Sequence, residues 1–223
     1  FTIIYCQTSL MLGLNYYLAE FDIPATLVYA GLGVGIIGGI FFFINMRDRL
    51  GVKKCTMIMA GVFAVSCFLI LAFGHSTIPT MIGAFGFGIG FAGGMYMIPL
   101  MNGDVVDMDE HRTGLRREGM YAGVNSFITK PAISIANSAF LWFLGRYNYN
   151  FDGLAGTQSA QAETGILMGW VLIPGVLLAI SFASLFLYPL AGDAWEKIKN
   201  QLAVIHIEKE KKMLAEKGIK YEG

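Results

Sequence analysis

Thr26–Met46 reads TLVYAGLGVGIIGGIFFFINM, a run of 21 residues that contains no Asp, Glu, Lys or Arg. A helix of this length is about 30 Å long, which matches the hydrocarbon thickness of a bilayer. A helix on the surface of a soluble protein carries polar residues at helical period, whereas this segment is apolar on every face. The segment therefore predicts a transmembrane helix.

Five further apolar segments accompany it in the chain of 223 residues. Together the six segments hold one of the 32 Asp, Glu, Lys and Arg residues, and that residue is Lys130. We therefore predict an all-α, polytopic membrane protein, with a six-span bundle over residues 1–190 and a charged, helical, cytoplasmic tail over 191–223 that stops at Gly218. The predicted spans are 1–18, 26–46, 55–73, 78–101, 119–145 and 165–190.

The basic residues predict the orientation of the spans. Fourteen of the 16 Lys and Arg residues fall in the connections 46–54 and 102–118 and in the tail, whereas Arg146 alone falls on the other side. The positive-inside rule then places these connections and the tail in the cytoplasm, and we expect the plasma membrane as the location. A net charge of zero without a basic face argues against a nucleic-acid partner.

The glycines predict helix packing rather than a cofactor site. Two Gly-x-Gly-x-x-Gly matches, at 33–38 and 88–93, lie inside predicted spans and do not follow a strand, so they are not dinucleotide-binding loops. Small residues at every fourth position instead form a flat helix face that allows close backbone approach. The predicted packing glycines are Gly31, Gly35, Gly39, Gly86, Gly90 and Gly94. The cysteines and histidines show no metal-binding spacing, so we predict neither a metal site nor an enzyme.

Lys130 is the candidate functional residue, because an unpaired cation at bilayer depth costs about 2.5–3.5 kcal/mol on insertion scales. It lies on a polar stripe of the fifth span, with Ser126 one turn earlier and Asn125 and Thr129 beside it. A cation in a polar cavity suits hydroxyl-rich or anionic solutes. The alternative is a structural lysine that pairs with a carboxylate elsewhere.

The connections 46–54 and 102–118 both mix acidic and basic residues next to helix ends. Such charges could pair across helices and hold one conformation, or they could serve solvation and topology alone. The candidate network is Asp48, Arg49, Asp104, Asp107, Arg112 and Arg116.

These residues resemble a known family. Asp48-Arg49-x-Gly51 resembles the D-R-x-G loop of the major facilitator superfamily. The stretch 104–130 is more specific: Asp-x-Val-Asp, a basic-glycine-arginine segment, an acidic residue and Lys130 resemble the glycoside–pentoside–hexuronide:cation symporter family, the family of the melibiose carrier.

The resemblance implies a secondary transporter that moves a sugar-like solute together with a cation by alternating access. It implies that Lys130 and Ser126 serve sugar binding or coupling, and that the charge network closes the cytoplasmic gate. It also implies that this chain, which starts at Phe1 within a span, is the C-terminal half of a twelve-span protein. The partners would be a small-molecule solute, the bilayer and the N-terminal six-span half. No cofactor is expected, and the site for the coupling Na⁺ or H⁺ would lie in the N-terminal half.

Two alternatives remain at this point. A lysolipid or another anionic solute could replace the sugar, with Lys130 holding the anionic group. In another class, the chain could be a channel or a membrane scaffold, although the sequence repeats neither a filter nor a charged ring.

Overall fold

The computed structural model describes residues 1–21, 23–154 and 156–216, and these residues form an all-helical bundle. The predicted tail stop, Gly218, lies outside the described residues. Helix α5 (Ala160–Leu167) continues through a π-helical turn, Met168–Leu172, into α6 (Ile173–Ser184), which ends in a 3₁₀ turn, Leu185–Leu187. The helices are α1 (Thr2–Glu20), α2 (Ala25–Phe73), α3 (Thr77–Thr113), α4 (Glu118–Arg146), α5 (Ala160–Leu167), α6 (Ile173–Ser184) and α7 (Asp193–Glu216).

The 49-residue helix α2 contains a reversal of direction at Gly51, where φ is 78° and ψ is 163°. Glycine can adopt this positive φ because glycine has no Cβ. The packing partners on α3 show the reversal. Along the arm before Gly51, the residue numbers of the α3 partners increase, so this arm runs parallel to α3. Along the arm after Gly51, the partners' residue numbers decrease, so that arm runs antiparallel to α3. The pairs are Gly35 with Phe85 and Gly39 with Ile89 for the first arm, and Met59 with Gly93, Phe63 with Gly90 and Ser66 with Gly86 for the second.

Four helices are long and apolar enough to cross a membrane: 25–73, 77–113, 118–146 and the continuous helical stretch 160–187. The structure thus describes a polytopic, all-helical membrane protein. The sequence predicted six spans, and two of them, 26–46 and 55–73, are the two arms of α2. The predicted first span forms α1 but is not among the four, because Gln7 and Asn15 lower its mean hydropathy.

The connections between helices fall alternately at two ends of the bundle. At one end, Lys53 donates hydrogen bonds to the Phe186 carbonyl at 3.1 Å and to the Tyr188 carbonyl at 2.8 Å. At the opposite end, Glu20 accepts hydrogen bonds from backbone N–H groups of the α4–α5 connection. We call the first of these the charged end, and it comprises residues 47–54, 102–118 and 188–206.

The largest core cluster lies where α1, both arms of α2, α3, α4 and the π-helical turn meet, and it includes Trp170. The Trp170 side chain is 1% exposed, and its ring contacts those of Tyr17 and Phe87. Pro174 has no N–H group to donate to the carbonyl four residues earlier, which is that of Trp170. The Ser9 hydroxyl of α1 donates to this carbonyl at 3.1 Å. A buried polar group left by proline is thereby satisfied from a neighbouring helix.

Candidate functional site

Helix α4 is buried along one narrow face and is exposed over the rest of its surface, where apolar as well as polar side chains are uncovered. The buried face repeats every fourth residue and is fully enclosed at Ala132, Ala136, Phe140 and Leu144. The Phe140 ring packs edge-on against the Tyr16 ring of α1 at 5.3 Å between centroids. The polar residues Ser126, Lys130 and Ser134 lie outside this buried row and are exposed.

The predicted solute residues all lie on or beside this uncovered face. Lys130, Ser126 and Asn125 are exposed, and Thr129 is half-buried. Within the described part of the chain, the Lys130 ammonium has neither an ion pair nor a hydrogen bond. The structure therefore does not provide the carboxylate partner that the structural alternative requires.

Asn125 and Thr129 line a cavity of about 760 Å³, whereas Lys130 and Ser126 lie outside it. Its walls come from α1, the second arm of α2, α3, α4 and the end of α6. Most of the lining is apolar, and the polar groups are few. They are Thr2, Gln7, Thr56, Asn125, Thr129, Ser181, Ser184 and Tyr188. A mostly apolar cavity with a few polar groups is typical of a small-molecule site.

A second cavity, of about 530 Å³, opens between α1, α3 and α4. Asn137 contributes to it from the polar stripe of α4, and Phe91 from α3. The remaining lining residues come from α1, and Gln7 is shared by both cavities. Sequence reasoning placed no solute residue on α1. The low hydropathy of α1 is the signal that could have pointed to the side chains of α1 that line this cavity.

The predicted packing glycines lie at close contacts between backbones and side chains. A Cβ added at Gly35 would lie 2.1 Å from the Phe85 carbonyl oxygen, and one at Gly39 would lie 2.9 Å from the Ile89 Cα. The glycines of α3 at 86 and 90 face the second arm of α2 instead. The two stripes thus pack the arms of α2 against two sides of α3.

The charged end contains a network around Arg116. Its guanidinium lies 3.0 Å from Glu110, 3.5 Å from Asp107 and 2.5 Å from Glu118. The Glu118 and Glu110 carboxylates raise the pKa of Arg116 above its ordinary value. The adjacent Arg117 pairs with Asp109 at 2.5 Å.

Helix α7 joins this network, which the sequence did not predict. Lys199 pairs with Asp104, and the His206 Nε2 lies 2.9 Å from the Glu110 carboxylate. Trp195 and Leu202 of α7 are 5% and 4% exposed. Burial of a large apolar side chain is worth about 1.5–3 kcal/mol. The apolar contacts of Trp195 and Leu202 therefore contribute to holding α7, together with the pairs to the buried Asp104 and Glu110 carboxylates.

The connection 47–54 does not join the Arg116 network in the described structure. Asp48 pairs with its neighbour Arg47 at 2.8 Å, and Arg47 also donates to the Tyr96 hydroxyl at 3.3 Å. Arg49 and Arg112 are exposed, and neither has an ion pair among the described residues. The predicted six-residue network is thus reduced to Asp104, Asp107 and Arg116, and partners from α7 complete it. Asp48 thus pairs with its chain neighbour, while the basic residues Arg47 and Lys53 of the same connection bond to α3 and to the end of α6.

The chain matches one protein family over most of its length. A family model described as "MFS/sugar transport protein" matches residues 2–192. The chain belongs to this family. As a member of the MFS/sugar transport protein family, it is an integral membrane protein of a transporter family and not of an enzyme family.

Three curated relatives agree with this assignment. The chain is 33% identical over 103 residues to a putative glycoside/cation symporter, YagG, of Escherichia coli K12, which covers 46% of the chain and 22% of that protein. It is 31% identical over 173 residues to an isoprimeverose transporter of Lactiplantibacillus pentosus, which covers 74% and 34%. It is 25% identical over 210 residues to a glucuronide carrier protein homolog of Escherichia coli K12, which covers 93% and 44%.

In each comparison the matched part is less than half of the relative's own length. No solved structure matches the chain. Within residues 1–21, 23–154 and 156–216, no group of three or more His, Cys, Asp and Glu side chains could hold a metal ion.

Proposed function

We propose that this member of the MFS/sugar transport protein family is the C-terminal half of a symporter that moves a glycoside or a related polar solute together with a cation. The names of two relatives, a glycoside/cation symporter and an isoprimeverose transporter, support the solute class and the coupling. All six helical segments would cross the bilayer, and an N-terminal half would supply the cation site for Na⁺ or H⁺. The uncovered polar face of α4 is the observation that carries the proposal.

The polar stripe cannot face lipid, because polar and charged groups at bilayer depth are costly unless they face protein or a water-filled cavity. Since no described residue covers Lys130, the stripe would face the N-terminal half across the solute path. The Lys130 ammonium can donate three hydrogen bonds to solute hydroxyls. Ser126, Asn125 and Thr129 would add neutral donors and acceptors beside it. Solute would bind near the bilayer midplane, between two halves that rock against each other.

The test is uptake by the full-length protein in proteoliposomes, with a panel of glycosides and with Na⁺, H⁺ or neither as the driving gradient. We expect Lys130→Ala to abolish coupled uptake while the protein still inserts and folds. Lys54→Ala is the matched control, because Lys54 is an exposed lysine in the connection at the charged end. Normal uptake by Lys130→Ala would contradict the site assignment.

An anionic solute is a second candidate, and the unpaired Lys130 ammonium is the observation that favours it. One relative is named as a glucuronide carrier homolog, which also supports a sugar that carries a carboxylate. A panel with a neutral glycoside, a glucuronide and a lysophospholipid distinguishes the solute classes. Uptake of the lysophospholipid alone would replace the sugar proposal with the lipid one.

We place the charged end in the cytoplasm of the cell that carries the transporter in its plasma membrane. The support is the positive-inside rule, with fourteen basic residues on this side and Arg146 alone on the other. The Asp104–Lys199 pair and the Arg116 network would hold this end closed while solute enters from outside. Helix α7 would belong to that closure.

Asp104→Asn tests the closure. The Asp104 side chain is 4% exposed and pairs with Lys199, so the amide would weaken this link and shift the balance towards the inward-open state. The measurement is maleimide labelling of Ser126→Cys from the cytoplasmic side, in a background without the native cysteines. We expect faster labelling with Asp104→Asn and an unchanged rate with Asp48→Asn, whose pair is local and exposed. Equal rates for both variants would assign these charges to solvation and topology.

A further inference from the structure

Gln7 of α1 holds a buried amide nitrogen that has no hydrogen-bond partner in the described structure. It lies against α3, where a Cβ added at Gly94 would come within 3.3 Å of the Gln7 Nε2. The Gln7 side chain lines both cavities, and its amide nitrogen is enclosed against α3. Buried donors in folded proteins are almost always satisfied, so a donor left free at a cavity wall points to a ligand or to water.

The cavity of about 530 Å³ has a lining suited to an uncharged, hydroxyl-rich group. Its polar residues are Gln7, Thr8, Asn15 and Asn137, none of which carries a charge. Asn15 already bonds to Tyr29 and to the Met11 carbonyl, whereas the side chains of Gln7 and Asn137 have no hydrogen-bond partner among the described residues. Amides offer both donors and acceptors, which match hydroxyl groups.

The two free amides come from different helices and meet at one space. Gln7 is on α1, Asn137 is on α4 two turns beyond Lys130, and Phe91 of α3 adds an aromatic side chain. The space that they line is an open groove of about 530 Å³. A carboxylate or phosphate would find no cation in this lining, and it would be directed instead to Lys130.

We propose that Gln7 and Asn137 form an amide subsite that binds uncharged hydroxyls of the transported solute and determines specificity for them. The proposal deepens the proposed function and rests on it. Lys130 would engage one part of the solute, and the amide subsite would engage a neutral sugar unit towards the outer end of α1. Gly94 is the residue that leaves room for the Gln7 amide against α3.

The experiment measures competition by methyl glycosides and their monodeoxy analogues against uptake by the full-length protein in proteoliposomes. Gln7→Met keeps the length of the side chain and removes its hydrogen bonds, and Asn137→Leu does the same on α4. Loss of one neutral hydrogen bond weakens binding by roughly 2- to 13-fold. We expect each variant to bind the parent glycoside more weakly by such a factor and to bind one deoxy analogue as well as the wild type does.

Asn45→Leu is the matched control, because its exposed amide bonds to the Phe41 carbonyl on the first arm of α2. It should keep both affinities and the discrimination between parent and analogue. If the wild type transports a glycoside and both cavity variants keep its discrimination, the amide subsite is refuted while the proposed function stands. If the wild type transports no glycoside with any cation gradient, the proposed function fails and the subsite proposal fails with it.

Discussion

Gly35→Ala should destabilise the bundle because Gly35 lies where the first arm of α2 crosses α3. An added Cβ would lie 2.1 Å from the Phe85 carbonyl oxygen and 3.0 Å from the Gly88 Cα. Favourable contacts lie at about 3.5–4.0 Å, so relief of the 2.1 Å contact needs a separation of about 1.4 Å or more. Both neighbouring atoms belong to the backbone, so no change of rotamer relieves the clash.

The size of the effect is the difference between two costs and one gain. Overpacking costs about 1–3 kcal/mol, and a gap of 0.5–1 Å along the rest of the contact forfeits a quarter to a half of its dispersion energy. Alanine in place of glycine in a helix interior returns about 0.5–1 kcal/mol. We therefore expect a net loss of about 1–2 kcal/mol in the free energy of unfolding.

The assay is thermal unfolding of the purified full-length protein in detergent. Gly38→Ala is the control, because it lies on the same helix and an added Cβ there would have nothing within 4 Å. We expect Gly35→Ala to lower the unfolding midpoint and Gly38→Ala to leave it unchanged or raise it. Equal midpoints for the two variants would refute the close approach of α2 and α3.

Two further variants test the opposite ends of the bundle. Glu20→Ala removes the carboxylate that accepts hydrogen bonds from the backbone N–H groups of Gly156 at 3.1 Å and Gln158 at 2.7 Å. The α4–α5 connection should then be cleaved faster by protease. Unchanged cleavage would contradict this anchoring role. Trp195→Ala removes a side chain that is 5% exposed, at a cost of about 3–5 kcal/mol. Helix α7 should then detach from the bundle and be cleaved faster by protease. Val204 is exposed, so Val204→Ala should leave the cleavage rate unchanged.

The apolar segments were readable from the sequence because hydropathy and length are local properties. Residues 26–46 and 55–73 are both helical, as predicted. The reversal between them lies at Gly51, the glycine of the Asp48-Arg49-x-Gly51 segment. The sequence could not show that the two arms of α2 pack against two different sides of α3. That arrangement follows from which glycines face which helix, and helical spacing alone does not identify the neighbour.

The charge network shows the same limit. Asp104, Asp107 and Arg116 were predicted from their place at a helix end, and the structure brings all three to the charged end. Their partners on α7 lie about 90 residues away in sequence, and no periodicity connects such distant positions. Lys199 and His206 could be assigned only after the fold had brought α7 onto α3.

The two faces of α4 determine how a solute at this site would be held. The face of Ala132 and Phe140 is fully enclosed within this half, so α4 belongs mechanically to the same body as α1. The opposite face carries Lys130, and no described residue covers it. Under the proposed function, the N-terminal half would cover this face and could move separately. A solute between the halves would then gain its full set of hydrogen bonds only when they approach, and a ligand shifts a conformational equilibrium by its differential affinity for the two states. The enclosed apolar face of α4 would matter to such transport as much as the polar face, because it would make α4 follow α1 when the halves rock.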